Sequence, residues 1–462
     1  MKDLLEGTTL RQRARAAIAD EHLSEALEQA SDRLTNLKLI GSSALENYEE
    51  LRDAGRYIRG RVIANLSQVL GKLTDNVEAS GGKVFFASDG AEAAEYVSRV
   101  AVNAGARTVV KSKSMASEEI HLNDALENLD IEAVETDLGE WIIQLAHQTP
   151  SHIIAPAIHL TAQDVSDIFN KISEGDLSDV PSELCAFARE QLRQKFLESD
   201  VGVSGVNFGI AETGTIAIVT NEGNGRLVTS LPRVHVAIMG MERVVETWEQ
   251  FDVMLALLPR AATGQQITTY VNMVTGPRRP GEADGPDEFH LVILDNGRSD
   301  ILGTEFQEIL HCIRCGACLN VCPVFRQIGG HGYGWVYSGP VGAVLTPLLN
   351  RAEEAGELQD ASSLCGACWE ACPVKIPLQD LLLGLRRKKA EDAGGIQKAM
   401  WRGWAAAWSR PRAYKESVRS AATMSKIVPE QFAPKGWRAG RKIPRAPKGT
   451  PSFRSWFESG EK

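Results

Sequence analysis

The chain has 462 residues, 43% apolar and 24% charged, with a formal net charge of −10. That length argues for two to four domains, because one hydrophobic core rarely serves so long a chain, and the acidic balance weighs against a nucleic-acid binder. No run of 18 or more residues is apolar enough to span a bilayer, and the start, MKDLLEGTTL, lacks an apolar h-region or a small-residue cleavage site. The expectation is a cytoplasmic protein.

Residues 1–75 read as a helical region. LRQRARAAIADEHLSEALEQASDRL and YEELRDAGRYIRGRVIANLSQVLGKL carry apolar residues at helical spacing with few breakers. A packed arm or cap on the next domain is the plain reading. From about residue 76 to 300 the pattern becomes α/β. KVFFA, RTVVKS, IEAVETD, SHIIAPA, GTIAIVT, RVHVAIMG and FHLVILD read as strands, while AEAAEYVSRVAVNAGA and SMASEEIHLNDALENL read as helices. Apolar strands alternating with helices predict a largely parallel or mixed sheet, ending near the turn-rich loop at 276–288.

Within this domain a few residues invite a chemical reading. Glu212 and the loop Asn221–Gly225 flank the strand GTIAIVT, and a Glu on such a turn, or the N–H groups of NEGNG, could serve a ligand. The plainer account of NEGNG is a tight turn needing positive φ. His152 and His159 have neither metal nor catalytic spacing, so both are expected in the core or on the surface. No Ser/His/Asp set or dinucleotide fingerprint is present.

The chain has eight Cys, and seven of them fall between Cys312 and Cys372. This distribution fits a metal site better than a disulfide framework. HCIRCGACLNVCP places Cys312, Cys315, Cys318 and Cys322 in the C-x2-C-x2-C-x3-C-P run of bacterial ferredoxins, whose fourth Cys ligates the other cluster. In SSLCGACWEACPVKIP, Cys365, Cys368 and Cys372 take the second, third and fourth positions, and Ser362 falls where the first Cys would be. The crossed arrangement puts Cys312, Cys315, Cys318 and Cys372 on one cluster and Cys322, Cys365 and Cys368 on the other. The fourth ligand of the second cluster stays open between solvent, another oxygen or nitrogen donor, Ser362 as a weaker candidate, and a three-iron [3Fe-4S] cluster. Cys185, on a helix far upstream, is expected to be a buried small hydrophobe. His311 and His331 are expected to hydrogen bond or lie at the surface rather than ligate. GGHGYGW, between the runs, is too Gly-rich for a helix and suits close approach to a cluster or partner, whereas VGAVLTPLLNRA reads as a helix.

Residues 301–385 thus form a two-cluster module, and 386–462 a basic extension. That extension holds 19 Lys/Arg against 6 Asp/Glu, a net +13, joined to a body of −23. It also carries Trp401, Trp404, Trp408, Trp437 and Trp456, the first three on one face of a predicted helix, and beyond 428 it reads as an extended arm. Docking onto the acidic body or onto a partner is favoured over a membrane-surface contact, and both over nucleic acid.

KFLESDVGVSGVNFGIAETGTIAIVTNEGNGR, HCIRCGACLNVCPVFRQIGGHGYGWVYSGPVGAVLTP and SSLCGACWEACPVKIPL, in that order, resemble the lactate utilization protein B family, an iron–sulfur subunit of a bacterial L-lactate oxidation system. The resemblance spans roughly residues 75–385. It implies an α/β domain similar to sugar-phosphate isomerase and CoA-transferase folds, joined to an α-helical ferredoxin-like module with two [4Fe-4S] clusters on the seven cysteines named above. It also implies two partner subunits, one a cysteine-rich iron–sulfur protein and one a lone α/β domain, together with an electron acceptor or carrier. The function implied is electron transfer during oxidation of L-lactate to pyruvate rather than stand-alone catalysis, in the cytoplasm or at the inner face of the membrane. Two rivals remain: an α/β domain that itself binds a 2-hydroxy acid, with Glu212 the weak catalytic candidate, and a non-redox assembly scaffold with structural clusters.

Overall fold

The computed structural model describes residues 4–5, 7–173, 175–349, 355–392, 394–424 and 453–460. One compact unit ends at Arg386 and a second begins at Arg387.

The first unit opens with four helices, α1 (Leu10–Ile18), α2 (Glu21–Ser43), α3 (Tyr48–Ala64) and α4 (Leu66–Ala79). Thr9 and Gln12 form a capping box on α1, and the Asp20 side chain accepts the Leu23 N–H at the start of α2. Along α4 the buried residues are Leu66, Val69, Leu70, Leu73 and Val77, the three-and-four spacing of one apolar face.

Among the described residues the strands are β1 (Lys83–Ala87), β2 (Thr108–Lys111), β3 (Glu132–Glu135), β4 (Val201–Gly205), β5 (Phe208–Ile210), β6 (Thr215–Thr220), β7 (Val234–Gly240), β8 (Val244–Val245), β9 (Tyr270–Val274) and β10 (Glu288–Leu294). Six of them form a sheet in the order β1-β10-β7-β4-β2-β3, with every neighbouring pair parallel. Helices cover both faces of such a sheet, so its central strands are largely apolar. On β7 and β10, Val234, Val236, Ile238, Val292 and Leu294 face one core, while Ala237, Met239, Phe289, Leu291 and Ile293 face the other. The remaining four strands form a second sheet, β8-β5-β6-β9, mostly antiparallel.

Several expectations change. SHIIAPA is not a strand: His152 Nδ1 accepts the N–H groups of Ile154 and Ala155, which coils the segment ahead of Pro156. SMASEEIHLNDALENL is two short helices, Met115–Glu119 and Leu122–Glu127, split where His121 takes φ 52°. β4, β5, β8 and β9 were not among the predicted strands. VGVSG looks weak because of its glycines, yet a Cβ on Gly202 would stand 2.0 Å from the Val228 carbonyl oxygen, so close packing against the helix Asn224–Ser230 demands glycine there.

The core that faces α4 runs on without a break through the second sheet into the cysteine module, taking in Cys315, Cys318, Cys322, Cys368 and Cys372. The helical arm, the sheets and the cysteines therefore fold as one body.

The second unit contains helices Gly395–Trp408, Pro411–Met424 and Phe453–Ser459. Along the first of these Trp401 meets Trp404 edge-on and Trp404 stacks on Trp408, with ring centroids 5.8 and 4.9 Å apart, and all three remain about half exposed. Trp437 and the arm expected beyond 428 lie outside the described residues up to Phe453. Among the described residues no helix is long and apolar enough to cross a membrane.

Candidate iron–sulfur centre

Each cysteine run folds into the same local structure. Arg314 and Leu364 take φ 58° and 57°, Gly316 and Gly366 take 76° and 84°, and each glycine caps a short helix, Ala317–Asn320 or Ala367–Ala371. Left-handed backbone at a non-glycine residue costs about 1–2 kcal/mol. Both loops carry that strain at the matching position, so the two runs share one backbone path.

Cys312 is half-buried, Cys365 is exposed, and Cys315, Cys318, Cys322, Cys368 and Cys372 are buried. Cys312, Cys315, Cys318 and Cys372 line one small pocket, walled otherwise by apolar groups such as Ile153, Val341 and Ile376. Burial pushes the Cys315 thiol up to about 12, with Cys372 and Cys312 adding to it. Burial likewise lifts Cys372 to about 11, with Cys312 contributing, and Cys368 to about 12, with Cys322 and Cys365 contributing. Cys372 thus keeps company with the first run, and Cys322 with the second. Among the described residues no three His, Cys, Asp or Glu side chains converge on a point that a single ion could occupy. A cubane makes no such demand, since each of its irons takes its own thiolate.

The polar surroundings suit thiolates bound to iron. The Arg314 N–H donates to Cys312 Sγ and the Ile376 N–H to Cys372 Sγ, each at 3.4 Å. The Tyr333 hydroxyl, buried with no conventional hydrogen-bond partner, lies against the Cys322 sulfur. Donors of this kind stabilise charge on cluster sulfurs and tune potential. The residues fit two cubanes.

The helical arm clamps the ligand loops from one side. Lys38 Nζ donates to the Ala371 carbonyl at 2.7 Å, Arg52 Nη2 to the Cys372 carbonyl at 2.8 Å and Arg56 Nη1 to the Lys375 carbonyl at 3.0 Å. Deeper, the fully buried Arg59 donates to the carbonyls of His311, Leu310, Val244 and Glu242. Burial lowers this guanidinium to about 9, which still leaves it charged at neutral pH. Arg243, just past β7, donates to the Cys312 and Ile313 carbonyls at 2.8 and 3.2 Å.

Buried carboxylates lie among the deepest of these cations. Glu242 accepts from Arg298 at 2.8 Å and from Arg314 at 3.1 Å. Burial works against its charge, yet Arg298, Arg314 and Arg243 hold its carboxyl down to about 2. Arg298 also pairs with Glu119 at 2.7 Å, and Glu119 in turn accepts from the Tyr337 hydroxyl at 2.5 Å. Glu242 and Arg298 follow β7 and β10, so the network sits at the carboxyl edge of the parallel sheet, where open α/β folds bind ligands. None of these residues stood out in the sequence, since a charged side chain without its distant partner looks solvent-exposed.

His152, with no role assigned from its spacing, touches this site. It is buried, and burial lowers it to about 3. Because its Nδ1 accepts from backbone N–H groups, its Nε2 carries the proton and donates to Asn320 Oδ1 at 3.0 Å. A Cβ on Gly316 would meet its ring at 3.1 Å.

The other candidates serve structure. Glu212 is exposed, and its carboxylate accepts the Trp248 N–H at the start of helix Trp248–Thr263. NEGNG does not need positive φ: Gly223 has φ −75° and leads into the helix Asn224–Ser230, while a Cβ on Gly225 would press Asn272 at 3.0 Å. Within that loop Glu222 accepts the Leu138 N–H, and burial together with Asp137 lifts its carboxyl to about 7. Cys185, expected to be buried, is exposed. His159 hydrogen bonds Gln148, His331 binds the Thr149 carbonyl and His311 is buried. The GGHGYGW segment does approach another chain segment closely, for a Cβ on Gly330 would overlap the Ser151 carbonyl oxygen at 1.8 Å.

Comparison with known proteins agrees with this geometry. Residues 70–294 match the LUD domain, 308–376 a 4Fe-4S dicluster domain, and 385–462 the family model described as lactate utilisation protein B, C-terminal. The lactate utilization protein B of Shouchella clausii is 47% identical over 97% of this chain and 96% of its own length. Those of Oceanobacillus iheyensis and Bacillus subtilis are 48% and 46% identical, each over 98% of this chain and 96% of the relative. The chain belongs to the lactate utilization protein B family. A crystal structure of a DUF162 family protein from Deinococcus radiodurans is similar over 50% of this chain and 98% of that one, at 15% identity and a TM-score of 0.26. As a lactate utilization protein B family member, the chain couples an α/β domain to a helical module for two [4Fe-4S] clusters and a family-specific C-terminal extension.

Proposed function

We propose that the chain is the iron–sulfur electron-transfer subunit of a complex that oxidises L-lactate to pyruvate. One observation carries the reading: seven thiols gather in two neighbouring sets within a chain that aligns end to end with lactate utilization proteins. Cys312, Cys315, Cys318 and Cys372 hold one cluster, and Cys322, Cys365 and Cys368 hold the other. Clusters bound there supply one-electron steps, which a two-electron oxidation needs when its electrons leave singly. The chain's own residues keep the ligand loops rigid through Arg52, Arg59 and Arg243, donate N–H groups to ligand sulfurs, and bury three of the first set's four thiols. The exposed Cys365 brings the second set to the surface, where a carrier can approach.

The same reading calls for two further subunits, one rich in iron–sulfur cysteines and one a lone α/β domain, and for a cytoplasmic setting that keeps the thiols reduced. It also takes the α/β domain as a relative of sugar-phosphate isomerase and CoA-transferase folds, which the all-parallel six-stranded sheet supports.

Anaerobic purification followed by iron and sulfide quantitation tests it. About eight irons per chain are expected, in clusters that dithionite reduces reversibly. L-Lactate should reduce them only when the partner subunits are present. Clusters that neither dithionite nor the lactate-fed complex can reduce would leave only a structural role.

A further inference from the structure

The second cysteine set is one thiol short, and the chain offers a replacement at a defined position. We propose that Ser362 Oγ is the fourth protein ligand of the second cluster, giving that cluster one oxygen-ligated iron. The proposal rests on the electron-transfer reading above and deepens it.

The argument begins with the repeat. Fifty residues separate Arg314 from Leu364, Cys315 from Cys365, Gly316 from Gly366, Cys318 from Cys368 and Cys322 from Cys372, and the same offset carries Cys312 onto Ser362. The backbone repeats along with the sequence, as the matched positive φ angles show. At the position in question the two loops agree in two independent contacts. The N–H two residues on points at the side-chain heavy atom: Arg314 N–H donates to Cys312 Sγ at 3.4 Å, and Leu364 N–H donates to Ser362 Oγ at 3.1 Å. An ordinary serine turn would produce this contact alone.

The second contact is not local. Arg243 Nη1 donates to the Cys312 carbonyl at 2.8 Å, and Arg386 Nη2 donates to the Ser362 carbonyl at 2.7 Å. The two arginines come from unrelated parts of the chain, one following β7 and one from the helix Leu378–Glu391. Arg386 also grips the Gln359 carbonyl through Nε at 2.8 Å, which fixes the approach to Ser362. Ser362 is half-buried between the buried Ala361 and the exposed Ser363, so its oxygen is neither in free solvent nor locked in a dry core. A backbone pinned at this residue, with its side-chain oxygen in the place of the Cys312 sulfur, is what a cluster ligand requires. On binding, the Oγ–H bond breaks, its proton passes to solvent, and the oxygen lone pair bonds to iron, so no redox electron moves.

Mössbauer spectroscopy of the anaerobically purified, ⁵⁷Fe-loaded full chain tests the assignment, with iron counting and electron paramagnetic resonance alongside. Wild-type protein should show one iron in about eight with the signature of an oxygen ligand. Ser362→Cys should keep the full iron count and convert that site to ordinary thiolate character. Ser362→Ala should lose one iron per chain and, once oxidised, show the signal of a three-iron cluster. A Ser362→Ala protein with full iron and an unchanged distinct site would hand the corner to solvent or another donor and overturn the proposal. A Ser362→Cys spectrum identical to wild type would do the same, even if the alanine variant fails to fold. Absence of clusters from wild-type protein would instead bring down the electron-transfer reading, and this proposal with it.

Discussion

The two cysteine runs are built on one backbone plan and live in different surroundings. In both, a left-handed residue and a left-handed glycine present thiols from the start of a short helix. Around the first run lie buried guanidinia from Arg59, Arg243 and Arg314, each interacting with Cys312, and three of the four thiols are buried. Around the second, Cys365 is exposed, Trp369 is 43% exposed, and nothing lies within 4 Å of where a Gly366 Cβ would stand. The lesson is a division of labour. The local motif sets which atoms face the cluster, and distant parts of the chain set the charge and solvent that the cluster feels.

The largest effect comes from exchanging fourth cysteines. Each run ends in a Cys-Pro, and the thiol neighbours of Cys372 include Cys312 of the first run, while those of Cys322 include Cys365 of the second. Cys372→Ala should therefore abolish the spectrum of the four-thiolate cluster, and Cys322→Ala that of the three-thiolate one, with about half the iron lost in each case. The reverse pattern would mean that each run serves its own cluster, and the comparison between runs would have to be redrawn.

A smaller effect should follow from stripping the first run of a cation. Arg243→Met removes the donor to the Cys312 and Ile313 carbonyls and one of the three guanidinia that hold Glu242 ionised. Leaving such acceptors unpaired costs about 1–3 kcal/mol, read as a lower denaturation midpoint. Removing positive charge also disfavours the added electron, so the reduction potential of the first cluster should fall. The second cluster's potential should stay where it was. Equal shifts in both would show that the arginine network acts on the whole module.

Spacing alone exposed the cysteines, and alternation exposed most of the parallel sheet, because both patterns are local and repeat along the chain. β4 escaped because its glycine answers to a helix that packs on it from later in the chain, a constraint with no local signature. Arg59, Arg243, Arg298 and Glu242 escaped for a similar reason. Their burial is stable only because each finds its partner across elements far apart in sequence, and charged residues alone look like surface. Cys185 was misjudged in the opposite direction: a lone apolar-looking residue on an amphipathic helix carries no information about which side of the stripe it falls on. Ser362 was visible as a gap in the repeat, but the carbonyl clamp from Arg386 is a fact of three dimensions only.

The finest distinction between the runs is steric. Gly316 and Gly366 both have left-handed φ, so alanine at either pays the same backbone cost, about 1–2 kcal/mol. Beyond that the sites part. At Gly366 a methyl group enters open space, whereas at Gly316 it meets His152 Cε1 at 3.1 Å, tighter than ordinary van der Waals contact. His152 cannot swing aside freely, since its Nε2 donates to Asn320 and its Nδ1 accepts two backbone N–H groups, all in a buried setting. Gly316→Ala should therefore destabilise the protein more than Gly366→Ala. In denaturant titrations the excess should shrink when His152→Ala is combined with Gly316→Ala, because the smaller side chain clears the contact. If the two glycine variants lose equal stability, the left-handed turn is the whole constraint, and the packing of the first run against the α/β domain contributes nothing to it.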